Sequence, residues 1–86
     1  MGLDTVELVM AIEEEFDVEI PNSDESKLAV LGDMHDYVVR ALHQRNEISD
    51  ETQVWKRLSR VVIGQLGVNP GQVTRSAHLV YDLRAD

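Results

Sequence analysis

Three sets of apolar residues in this chain repeat with the period of an α-helix, and that repetition constrains the fold more than any other feature. Leu8, Val9, Ile12 and Phe16 form the first set, Met34, Tyr37, Val38, Ala41 and Leu42 the second, and Val54, Leu58, Val61, Val62 and Leu66 the third. At about 100° per residue each set covers one face of a helix. The spacing predicts long helices over residues 3–16, roughly 33–43 and roughly 51–66, on one core that includes Leu8, Ile12, Phe16, Val38, Leu42, Val54, Leu58 and Val62. Pro21 ends the stretch FDVEIP, after which Ser23 can cap a short helix over residues 24–28, and Gly32 with Asp33 introduces the second long helix. Asp50 followed by Gln53 resembles a capping box, and Gly67 ends the third helix. The stretch VNPGQVTRSAHLVYDLRAD reads as a long ordered loop anchored by Val68, Val73, Leu79 and Leu83. The expected fold class is all-α: three long helices plus one short, in a small four-helix bundle.

A chain of 86 residues builds one core and has room for one site. It has no continuous apolar window of about 18 residues and no basic-then-apolar leader, so neither a membrane span nor a secretory signal is expected, and the expected location is cytoplasmic. With no cysteine, a disulfide framework, a thiolate nucleophile and the usual zinc ligand sets are excluded. The net charge of −8 is uneven: residues 1–42 hold eleven acids against Lys27 and Arg40, and residues 43–86 hold five acids against six bases. Nucleic-acid binding needs clustered Lys and Arg, so a basic protein surface is the more natural partner.

Beside the core stripe of the first helix lies a second one, Leu3, Val6 and Met10, bordered by Glu13 on one edge and by Glu7 and Glu14 on the other. Two readings stand at this point. Either a small bundle buries a wide arc and the acids are solvated, or the helix docks a partner through an apolar strip in an acidic rim. His35, His43 and His78 lack metal-ligand spacing and read as surface or half-buried structural residues. Glu13, Glu14 and Glu15 are consecutive helical positions that point apart and do not converge on an ion, and Trp55 reads as core. No glycine-rich phosphate loop and no Ser, His and Asp set suggests catalysis.

LDTVELVMAIEEEFDVEIP resembles the second helix and following loop of bacterial acyl carrier proteins, and KLAVLGDMHDYVV resembles their third and fourth helices. ETQVWKRLSRVVIGQLGVNPGQVTRSAHLVYDLRAD is similar to the first helix and first loop of that family, which ordinarily come first. The resemblance covers nearly everything except HQRNEIS. It implies one acyl-carrier-like domain over 1–86 in circularly permuted order, with 1–43 supplying the recognition helix and the third and fourth helices, 44–50 a linker, and 51–86 the first helix and first loop. About seven linker residues reach up to roughly 23 Å, enough for such a join. Gly2 and Asp86 are then expected near each other, in a monomer or across a domain-swapped dimer.

Carrier proteins of this family hold a 4′-phosphopantetheine arm on the serine of a D-S-L motif. Aligning Leu3 with the motif's leucine puts Gly2 at the serine position. Glycine has no oxygen to accept the arm, so no cofactor is expected on the chain as it stands. Thr5 and Ser76 carry hydroxyls without the motif around them. In the family the second helix docks onto Lys- and Arg-rich patches of acyl-chain-processing enzymes, which implies a partner-binding role for Leu3, Asp4, Val6, Glu7, Met10, Glu13 and Glu14. The resemblance therefore implies a non-enzymatic protein of fatty-acid or related acyl-chain metabolism. The alternative is a non-carrier interaction module or regulator that docks basic partners through its acidic helix.

Overall fold

The computed structural model describes residues 3–21, 26–47, 50–79 and 81–83, with the side chains of Leu3, Asp4 and Ser26 outside that description. Three α-helices carry the three stripes: α1 (Leu3–Phe16), α2 (Leu31–Gln44) and α3 (Glu51–Leu66). All eight core residues expected from the periodicity are buried, none more than 3% exposed. Helix α1 packs chiefly on α3, and α2 closes against α3. The radius of gyration of 11.9 Å matches the roughly 12 Å of a compact chain of this length.

The expected short helix over 24–28 is instead a single 3₁₀ turn, Ser26–Leu28, in the described part; residues 24 and 25 and the expected cap Ser23 lie outside it. A longer helix is precluded on its C-terminal side because Val30 is extended, at φ −92° and ψ 131°, and pairs with His78 in an isolated antiparallel bridge. The fold among the described residues is thus three α-helices with 3₁₀ turns at Ser26–Leu28 and Pro70–Gln72, and no named strand.

Helix α2 begins at Leu31, two residues before the expected start, and Val30 offers no side-chain cap. The loop after α3 supplies the missing acceptors. Leu31 N donates to Ala77 O at 2.9 Å and Gly32 N to Arg75 O at 2.8 Å, while Leu79 N donates to Ala29 O at 2.7 Å. The first two bonds satisfy N–H groups that a helix start leaves orphaned. Gly32 is needed for that approach, since a Cβ there would lie 2.8 Å from Arg75 O. The same loop places Val73, Ala77, Leu79 and Leu83 in the core, and leaves Val68 half-buried.

The expected box between Asp50 and Gln53 is replaced by a simpler cap in which Asp50 Oδ1 accepts from Thr52 N at 2.8 Å. Gly67, at φ 67°, ends α3 with its N–H on Ile63 O. The other two helices end at non-glycine residues in the same left-handed region, Asp17 at φ 53° and Asn46 at φ 60°. Each is followed by an N–H that reaches back five residues, Val18 to Glu13 O and Glu47 to Leu42 O, the bonding that stabilises a left-handed helix end. Arg45 fastens these two ends together by donating to Phe16 O and Asp17 O. The expected proximity of Gly2 and Asp86 falls outside the described residues.

Candidate functional site

The outer face of α1 carries the exposed apolar residues expected of a docking strip. Val6 is 40% and Met10 54% exposed, on the opposite side of the helix from Leu8 and Ile12, which are wholly buried. Glu7 and Glu14 are exposed beside them and make no ion pair among the described residues. A one-stripe helix needs no such strip to join a core. Leu3 and Asp4 belong to the first turn of the same helix, and Gly2 lies outside the described residues.

The remaining acids of α1 serve the fold. Glu13 is half-buried, and its carboxylate accepts from Ile20 N at 2.9 Å, fastening the segment after the helix. Glu15 pairs with Arg57 at 2.9 Å, and the Arg57 guanidinium also lies 4.6 Å over the Phe16 ring. The open acidic rim is therefore narrower than the sequence suggests, with Glu7 and Glu14 as its described members. The hydroxyl of α1 faces the other way: Thr5 is 3% exposed on the core side. Ser76 is exposed, with its Oγ 3.5 Å from Thr74 Oγ1.

A second cluster was not legible as a site. His35, expected at the surface or half-buried, is 5% exposed. Its Nε2 lies 3.0 Å from Glu51 O and its Nδ1 2.9 Å from Arg75 Nη1. Arg75 Nη2 reaches the two oxygens of Asp36 at 3.0 and 3.2 Å, and Trp55, half-buried rather than core, meets the imidazole edge-on at 5.4 Å. These groups line an open cleft of about 660 Å³ between α2, the start of α3 and the loop at Val73–Arg75. A signal was available: His35 sits four residues from Leu31 and from Val39, inside the buried stripe of α2. His43 is exposed, and His78 is half-buried with its ring 4.4 Å from that of Tyr81. No three His, Cys, Asp or Glu residues converge on a metal position among the described residues. Nor is any helix among them long and apolar enough to cross a membrane.

A stretch of 37 residues, 43% of this chain, is 61% identical to an acyl carrier protein of Campylobacter lari. Part of the chain is thus similar to an acyl carrier protein. The stretch covers 48% of that relative, so the chain spans about half the length of the curated protein it matches. No family model matches the chain, and no solved structure matches it.

Proposed function

We propose that this chain is a non-enzymatic, acyl-carrier-like domain in circularly permuted order, which docks basic surfaces of acyl-chain-processing enzymes through the outer face of α1. The observation that carries the reading is the exposed strip of Val6 and Met10 with Glu7 and Glu14 open along one edge, a surface that folding does not require. The extent of the similarity supports the exchanged order. A collinear comparison follows only one of two exchanged segments at a time, and the match stops below half of either chain.

The residues do not fit the arm that such proteins carry. Gly2 offers no oxygen at the aligned position, and the Thr5 hydroxyl is enclosed by the core. This favours a docking module or regulator over a working carrier, within a cytoplasmic acyl-chain metabolism. Incubation with coenzyme A and a phosphopantetheinyl transferase, read by intact mass, is expected to leave the protein unlabelled. Reversing Glu7 and Glu14 to Lys is expected to lower affinity for a basic-faced acyl-chain synthase at least tenfold with the circular dichroism spectrum unchanged. Raising salt should weaken the native complex too, because the Debye length falls from about 10 Å at 0.1 M to about 3 Å at 1 M. Binding indifferent to both charge reversal and salt would make the acids a solvated face and end the docking reading.

A further inference from the structure

We propose that His35, Asp36 and Arg75 form a proton-operated strap: neutral His35 holds Arg75 and keeps the loop capping α2, and protonated His35 takes Asp36 for itself and releases the loop.

The donor and acceptor inventory settles the resting state. A guanidinium only donates, so the Nδ1 atom 2.9 Å from Arg75 Nη1 presents its lone pair. The ring proton is then on Nε2, where it donates to Glu51 O at 3.0 Å. Both nitrogens are satisfied, and the ring is neutral. A proton added at Nδ1 would set N–H against N–H, with no acceptor between them. A substitute acceptor stands close by: Asp36 Oδ1 lies 3.7 Å from Nδ1, and Arg75 now holds it. The imidazolium and the guanidinium therefore compete for one carboxylate. The charged residues beside the ring are Asp36 from α2, Arg75 from the loop, and Glu51 from the start of α3, which also lines the cleft.

Losing the Arg75 side chain matters because its own backbone carbonyl caps Gly32 N, and its Nη2 lies 3.4 Å from Gly32 O. Side chain and main chain of one residue thus hold the loop on the first turn of α2. Once the guanidinium leaves, the bonds from Leu31 N to Ala77 O and from Gly32 N to Arg75 O are the ones that loosen.

The full chain reports the event in two ways. Trp55 is the one tryptophan of the sequence and touches the ring edge-on, and an imidazolium quenches indole emission more strongly than a neutral imidazole. Amide hydrogen exchange at Leu31 and Gly32, corrected for intrinsic rates, reads the cap. Between pH 8 and pH 5, emission is expected to fall in one proton step, and exchange at both amides to accelerate at least tenfold with α1 unchanged. His35→Gln keeps an oxygen for Arg75 and an N–H for Glu51 O without titrating, so both readouts should become flat. Where that variant fails to fold, Arg75→Ala should exchange rapidly at Leu31 and Gly32 at pH 8 and pH 5 alike. A step that persists in His35→Gln, which retains His78 in the same loop, would overturn the proposal. So would a wild-type cap indifferent to pH, or native protection at pH 8 in Arg75→Ala.

Discussion

Replacing Gly32 by Ala sets two forces of opposite sign against each other at one atom. Alanine is about 1 kcal/mol better than glycine inside a helix, and somewhat less so in a first turn, so propensity alone would stabilise α2. The new methyl, however, would stand 2.8 Å from Arg75 O, and that oxygen belongs to backbone, not to a side chain that can rotate away. It must retreat by roughly half an ångström to reach ordinary contact. The retreat stretches the bond from Gly32 N and drags on the neighbouring bond from Leu31 N to Ala77 O. Each such bond contributes about 1 kcal/mol, and a buried N–H left unmade costs about 1–3 kcal/mol. The net expectation is a loss of about 1–3 kcal/mol, which lowers the Tm of a domain this size by at least about 4 °C. Gly64→Ala is the control. It lies in the exposed part of α3 with nothing within 4 Å of its added methyl, so propensity acts alone and stability should rise by about 0.5–1 kcal/mol. Urea unfolding followed by circular dichroism measures both. A Gly32→Ala protein as stable as wild type or more so would show that the loop does not bear on the helix start as described.

Ser59→Ala is expected to stabilise by about 1–2 kcal/mol, because Ser59 Oγ is buried without a hydrogen-bond partner among the described residues, and alanine also favours the helix; urea unfolding that shows no gain would mean the hydroxyl is satisfied. Phe16→Ala should cost about 3–5 kcal/mol, since it empties a buried site and removes the ring beneath Arg57. That is a large part of the stability of a domain this small, so its thermal midpoint should collapse; a shift of only a few degrees would place Phe16 outside the core.

What could be read from the sequence was what depends on local period. The stripes fix which face of each helix is buried, and Val6 and Met10 stood out because they fall out of phase with Leu8 and Ile12. Gly67 was legible as a helix end because glycine enters the left-handed region at no steric cost. Asp17 and Asn46 do the same work with side chains that conceal it, held by bonds back to Glu13 and Leu42. The start of α2 was misplaced because its acceptors are carbonyls of residues 75 and 77, which no local pattern announces. Glu13 looked like a rim acid because its partner, Ile20 N, comes into reach only after the chain turns. The His35 cluster stayed hidden for the same reason, its two key residues being 40 apart.

The capping of α2 by residues 75 and 77 also bears on how the protein is born. A ribosome that extends the chain at about 5–20 residues per second needs roughly 2–9 s to pass from the start of α2 to its cap. An isolated helix forms within about a microsecond, so α2 can coil and uncoil very many times before the carbonyls of Arg75 and Ala77 exist. Throughout that interval its first turn is open to water and to proteases. A nascent chain that stalls before residue 75 would carry all three helices in sequence and still lack the acceptors that hold the second one, which makes the loop the step that commits the newly made molecule to its native state.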